Sequence, residues 1–417
     1  MGEAPPAPDQ KVRLRLGRVT LSSGLLGAMF LMATSAIGPG FITQTTTFTA
    51  QLGAAFAFAI LVSILVDIAV QLNIWRVIGV SNMRAQDLAN KVLPGAGYLL
   101  AVLIVFGGLI FNVGNIAGTG LGLDAMIGLD PRVGAAISAL VAIVILAVKR
   151  LGVALDRILV VLGVMMIALT AYVAFVSSPP VGDALRQSVL PEAASSDLFL
   201  ATITIIGGTV GGYITYAGAH RLIENGMGGR ENIAAITQTS VTGIIVTGLM
   251  RVLLFLAILG VVAGGVAIMD APNPSAEAFY QAAGEVGMRL FGMIMWAAAV
   301  SSVIGASYTS ISFVTTFSPW LERHKGKLVT GFIGVSLAIY LVSGQAPGTL
   351  LVMAGALNGV ILPVGLGLLL WVAARHSKTL LNGYRYPRWL LVVGVAAWLL
   401  TVYMAVNALG GIAALWQ

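Results

Sequence analysis

Eleven apolar stretches run along the chain, near residues 22–46, 54–75, 96–122, 133–148, 152–176, 198–221, 233–265, 288–316, 327–343, 348–374 and 389–415. Most approach the ~20 residues that an α-helix needs to cross the hydrocarbon core of a bilayer. The pattern predicts an all-α integral membrane protein with eleven transmembrane helices. Two of the stretches are interrupted. Ala36-Ile37-Gly38-Pro39-Gly40-Phe41 lies in the first, and Gly207-Gly208-Thr209-Val210-Gly211-Gly212-Tyr213 lies in the sixth. Proline removes a backbone donor and glycine permits reversal of the chain. A backbone group without a partner is costly in lipid, so a span breaks only where protein or a cavity receives the freed groups. Two broken spans, one opening each half of the chain, point to a binding site near the bilayer midplane.

The polar positions between the stretches set the topology. With the N-terminus in the cytoplasm, 19 of the 23 basic residues fall in cytoplasmic segments. External segments hold Arg132, Arg186 and Arg289, and Arg251 falls inside the seventh stretch. This bias predicts a cytoplasmic N-terminus, an external C-terminus and an odd number of crossings. The net charge of +7 then belongs to cytoplasmic loops and not to a nucleic-acid partner. Only 9% of the residues are charged, against about 25% in soluble domains, so the apolar excess is membrane-embedded. There is no cysteine, which excludes disulfides and thiolate metal sites.

Residues 1–20, with Ala4-Pro5-Pro6-Ala7-Pro8, read as a disordered cytoplasmic tail. Residues 21–177 and 198–375 read as two five-helix units, separated by the longest polar external segment, 177–197. An odd number of spans in each unit places the second upside down relative to the first. Residues 389–417 add an eleventh helix. Phe41-Ile42-Thr43 and Tyr213-Ile214-Thr215 follow equivalent breaks. An inverted 5+5 repeat with broken helices 1 and 6, plus one extra helix, resembles LeuT-type transporters. Most of the 51 glycines serve close helix packing, as small residues do in membranes.

With both breaks in place, the chain resembles the NRAMP family of metal-ion transporters over most of its length. The family's first-span Asp-Pro-Gly-Asn falls on Gly38-Pro39-Gly40-Phe41, and its sixth-span Met-Pro-His falls on Gly211-Gly212-Tyr213. Two acidic positions that the family associates with proton movement fall on Asn112 and Asn115. The resemblance therefore implies the fold without the metal ligands, because no carboxylate, thioether or imidazole remains at these positions. A divalent cation needs such donors to offset its dehydration. Ala33 to Phe41 (Ala-Thr-Ser-Ala-Ile-Gly-Pro-Gly-Phe) and the Gly-Gly-Tyr break are more similar to a bacterial side branch of NRAMP-like proteins. That similarity implies the inner membrane as location, and 5-oxoproline or a related small carboxylate or amide as cargo.

The substrate-binding candidates are Gly38, Phe41, Thr45, Gly211, Tyr213, Thr215, Asn112 and Asn115. Thr34, Ser35, Thr202, Thr204 and Thr209 add neutral polar groups around the breaks. Gly38 and Gly211 are expected to free volume, and Phe41 and Tyr213 to wall it. Amides at the start of each second half-helix supply positive potential suited to a carboxylate. Asn112 and Asn115 lie on one helical face, where they line the cavity or bond between helices. Asp67, Arg251 and His220 are the gating or coupling candidates. Embedded charges are expensive and so point to function, with structural pairing as the alternative. His220, Arg221 and Glu224 also fit a capping role, and Asn358 and Pro363 border the cavity or kink their helix.

These residues predict a secondary active transporter of a small neutral or anionic organic solute, working by alternating access with H⁺ or Na⁺ as the coupling ion. The alternative is a Mg²⁺ or Mn²⁺ transporter with redistributed ligands, for which Asp67 is the available carboxylate. A non-transporting solute sensor is a third reading. No cofactor is expected, and no catalytic or phosphate-loop constellation points to an enzyme.

Overall fold

The computed structural model describes residues 14–16, 19–21, 37–192 and 195–414. Of the disordered tail expected over 1–20, residues 1–13, 17 and 18 lie outside the described residues, as do Thr34, Ser35, Ala36 and the rest of 22–36, while the remainder of that tail is ordered in strands. Leu14–Leu16 (β1) and Val19–Leu21 (β2) pair antiparallel, an element the apolar pattern does not announce. Every other described element is a helix.

The first half of the chain comprises α1 (Pro39–Leu52), α2 (Phe56–Ser81), α3 (Ala85–Val92), α4 (Ala96–Ile127), α5 (Pro131–Ala147), α6 (Lys149–Val176) and α7 (Val181–Val189). The second half comprises α8 (Ser196–Thr209), α9 (Ile214–Glu224), α10 (Ile233–Ala263), α11 (Pro274–Thr315), α12 (Pro319–Arg323), α13 (Lys325–Ser343), α14 (Pro347–Arg375) and α15 (Arg388–Ala414). Each stretch expected from 54–75 onward coincides with a helix. The short helices α3, α7 and α12 lie between stretches. Helix α11 begins well before the expected 288, and Gly284 inside it has φ 64°.

By length and composition, eight described helical stretches can cross a membrane. The number is nine if Val161–Val176 and Val181–Val189, bent by 107°, form one span, and Pro131–Ala147 is a shorter apolar helix. Eleven crossings were expected. Part of the difference lies in Pro39–Ser81, which counts as one stretch of 43 residues. As one straight helix it would hold Phe41 and Asp67 about 39 Å apart. Both instead reach Arg251. The chain therefore reverses at Gly53–Ala55, a single 3₁₀ turn entered through Gly53 with φ 54°.

The turns at Gly38-Pro39 and at Gly212 form where the residues demand them. Gly38 is extended, and Pro39 opens α1 with the φ that suits a first helical position. Helix α8 starts on the Ser195 hydroxyl, which accepts from the Leu198 amide at 3.2 Å. It ends at Val210, and Gly212 at φ 51° turns the chain into α9. No side chain caps the start of α1 or α9.

Side-chain hydrogen bonds join the helices in two groups, which are tied to each other through Arg84, between Glu224 of α9 and the Ser312 carbonyl of α11. In one, Trp75 Nε1 donates to the Thr215 carbonyl at 2.9 Å, joining α2 to α9. Gln71 Nε2 donates to the Ser240 carbonyl at 2.9 Å and Arg76 to Thr237, joining α2 to α10. In the other, Asn112 Nδ2 donates to Ser307 Oγ at 3.1 Å and Ser336 Oγ at 3.0 Å, joining α4, α11 and α13. Trp296 Nε1 donates to Ser138 Oγ at 2.8 Å, adding α5. Helix α1 attaches to the second group. It bonds to α14 through Gln44 Nε2 and the Leu351 carbonyl at 2.9 Å, and to α11 through Thr46 and Ser275 at 2.9 Å.

Candidate functional site

The two breaks face each other across α4 and α14. A Cβ on Gly38 would lie 2.8 Å from Ser302 Oγ and 3.8 Å from Asn115 Oδ1. The Tyr213 ring stands edge-on to Phe111 at 5.6 Å, with its hydroxyl toward the Asn115 amide. Asn358 Nδ2 donates to the carbonyls of Gly107 at 3.0 Å and Ala354 at 2.8 Å, and its Oδ1 rests on Gly212. Gln44 reaches from α1 between Gly208 of α8 and Gly355 of α14. All of these residues are buried.

The expected free volume at Gly38 and Gly211 is not there. Ser302 occupies the space beside Gly38. At Gly211, a Cβ would meet the Gly207 carbonyl at 2.5 Å and the Asn358 carbonyl at 2.9 Å. Gly207 on α8 faces Gly355 and Gly359 on α14 with backbone against backbone, and Gly211 just past α8 lies against the Asn358 carbonyl, the close approach that small residues permit in membranes. Gly211 is thus a packing position in this arrangement.

The other candidates divide. Thr45 turns its hydroxyl back to the Phe41 carbonyl at 2.7 Å. Asn112 spends its amide on Ser307 and Ser336, while its Oδ1 has no partner. Asn115 and the Tyr213 hydroxyl face each other and have no further hydrogen-bond partner, and Thr215 Oγ1, Ser310 Oγ, Asn358 Oδ1 and Gln44 Oε1 have none. Buried polar atoms are nearly always paired with protein or water, so this cluster stands out among the buried groups. Gln44 and Ser310 belong to this cluster, and Ser302 borders it beside Gly38. They look like ordinary helix residues in the chain, and only the fold brings them to the breaks.

The embedded charges also come to the breaks. The Arg251 guanidinium lies 4.3 Å from the centre of the Phe41 ring, and its Nη1 donates to Thr209 Oγ1 at 2.9 Å. Asp67 lies beside the Thr209 hydroxyl and has Arg251 as its charged neighbour. His220 is away from this group. Its Nε2 accepts from the Ala85 amide at 3.4 Å, and its ring packs on Phe313 at 4.9 Å. Beside it, Arg84 bridges Glu224 at 3.2 Å and donates to the Ser312 carbonyl at 3.0 Å, tying α9 to α11 at one end of the site. Arg84→Gln is expected to loosen this end by about 1 kcal/mol. Because the chain lacks cysteine, Thr215→Cys can report it: thiol labelling should quicken about fivefold in the double variant. An unchanged rate would show that the bridge does not hold the end closed.

A model described as natural resistance-associated macrophage protein-like matches residues 29–410. The chain belongs to this family. Two relatives extend over almost the whole NRAMP-family chain. An uncharacterized membrane protein of Bacillus subtilis, YcsG, is 52% identical over 382 residues, covering 92% of each chain. An uncharacterized membrane protein of Haemophilus influenzae is 48% identical over 384 residues, covering 92% of this chain and 94% of its own. Among solved structures, a manganese transporter mutant of Eremococcus coleocola superposes with a TM-score of 0.73 at 14% identity, over 94% of this chain and 87% of its own. MhsT in complex with L-phenylalanine gives 0.67 at 17% identity, over 92% and 98%. At these identities the likeness is one of fold, and it is the LeuT-type fold with broken helices 1 and 6. This NRAMP-family protein is a multi-pass membrane transporter and not an enzyme.

Proposed function

We propose that the protein carries a small neutral or anionic organic solute across the bacterial inner membrane by alternating access, with the N-terminus cytoplasmic and the C-terminus external. One observation carries this reading: the cluster of buried neutral groups short of hydrogen-bond partners on Asn115, Tyr213, Thr215, Ser310, Asn358 and Gln44 at the junction of the breaks. Amides and hydroxyls match the hydrogen-bonding groups of a small amide or carboxylate such as 5-oxoproline, and Phe111 and Tyr213 supply apolar walls. They match a divalent cation poorly, since no group of three or more His, Asp or Glu side chains suited to a metal exists among the described residues.

A thermal-shift screen of the purified protein tests the reading, because a ligand that binds the folded state raises its apparent stability. Small carboxylates or amides should raise Tm in proportion to the logarithm of their concentration. A saturable response to Mn²⁺ or Mg²⁺, with none to organic solutes, would favour a metal cargo. In that case Asp67→Asn should abolish the metal response.

A further inference from the structure

We propose that Arg251 receives the carboxylate of the solute and that Asp67 takes up one proton with it, so that the cargo is a monocarboxylate moved together with H⁺. The proposal rests on the organic-solute reading and names its substrate class and coupling ion.

Arg251 is 2% exposed, and the geometry leaves one side of its guanidinium open. Phe41 covers a face of the plane. Nη1 is committed to Thr209 Oγ1 at 2.9 Å and the Ile205 carbonyl at 3.3 Å. Nε and Nη2 have no partner. These two nitrogens form one edge of the fork, the edge that grips a carboxylate with two parallel hydrogen bonds. Thr209 is the last residue of α8 before its break, and Phe41 lies in the first turn of α1. The open edge therefore belongs to the junction of the broken helices. An unpaired charge edge is costly to bury, and an anion removes that cost.

Asp67 is 1% exposed, and its Oδ1 has no partner. The Thr209 hydroxyl connects it to Arg251. That hydroxyl has a single hydrogen but two acceptors, the Ile205 carbonyl at 2.8 Å and the Asp67 carboxylate. Helices α1, α7, α8, α9, α10, α14 and α15 pack on α2, and from them Arg251 is the charged group that faces Asp67. Asp67 is likewise the charged group that faces Arg251. The two charges cancel while Asp67 is ionised. Once Asp67 binds a proton, Thr209 turns its hydrogen to Ile205, and Arg251 is left without a counter-ion until a carboxylate arrives. Proton and carboxylate then enter together, and the loaded site has the same net charge as the empty one. Release of the carboxylate on the other side returns the proton from Asp67 to water.

The test uses the full chain, in detergent for binding and in vesicles for uptake. The ligands are a panel of short monocarboxylates, the matching uncharged amides, and Mn²⁺. Wild-type protein is expected to bind carboxylates more tightly as pH falls, and to accumulate them under an inside-alkaline gradient without response to membrane potential. Asp67→Asn should exchange labelled carboxylate between the two sides but lose gradient-driven accumulation. Arg251→Gln should lose carboxylate affinity by at least about tenfold, or about 1.4 kcal/mol, with amide affinity kept within about twofold. If Arg251→Gln does not fold, Arg251→Lys is read instead, since it keeps the charge and loses the fork. Full carboxylate affinity in the Arg251 variant, or surviving accumulation in Asp67→Asn, overturns the proposal. Wild-type binding of amides alone also overturns it and leaves the organic-solute reading standing. A response to Mn²⁺ alone removes both.

Discussion

Gly207→Ala is expected to destabilise the protein by about 3 kcal/mol, the upper part of the range for overpacked cores. The added methyl would collide with the Gly355 carbonyl and the Gly359 amide, and would lie 2.7 Å from Gly359 Cα. These atoms are backbone of α14 and cannot rotate away. The helices would have to separate, and α8 would lose the contact that holds its end beside α1. In lipid there is no hydrophobic gain to offset the lost packing, so the loss is direct. The measurement is Tm in detergent together with the yield of monodisperse protein. Gly334→Ala in α13 is the control. Nothing lies within 4 Å of its added methyl, and replacing a helical glycine there should leave Tm unchanged or raise it. Equal behaviour of the two variants would refute the close approach of α8 and α14.

Trp75→Ala should cost about 3–5 kcal/mol, the range for removing a large buried aromatic side chain. Trp75 is 1% exposed, and it donates from Nε1 to the Thr215 carbonyl in the first turn of α9. Its loss leaves a cavity between α2 and α9 and an unpaired carbonyl beside the break. The functional consequence is separable from the fall in Tm. With α9 released from α2, the second break is no longer held in register with the group of helices that carries Arg251. Trp75→Phe keeps most of the volume and loses only the hydrogen bond. It should therefore lower Tm by a fraction of the alanine effect, while solute affinity falls in both. Unaltered affinity in Trp75→Phe would mean that the bond positions nothing at the site.

The breaks were legible because proline and glycine disrupt helices through local geometry, and no partner is needed to see it. Short helices such as α3 and α7 were not, because eight or nine residues vanish inside a window sized for a crossing. The content of the site was only half legible. Tyr213, Asn115 and Arg251 stood out as unusual residues in apolar surroundings. Ser302 beside Gly38 and Gln44 beside Gly355 depend on contacts across roughly 260 to 310 positions of sequence, which no local pattern encodes. The volume at Gly211 was misjudged on the same ground: an absent side chain makes room, but only the fold decides what fills it.

The turn at Gly53–Ala55 has a mechanical consequence. It fastens the far end of α1 to the start of α2, so α1 is a lever pinned at that end, with its tip at Gly38 against Ser302. The arm is about 20 Å long, so an ångström of displacement at the tip costs only about 3° of tilt at the pin. Gln44 sits nearer the tip and bonds to α14. A solute pressing beside Gly38 would thus move α14 by a little more than half as much with a small rotation, and the pivot itself need hardly deform.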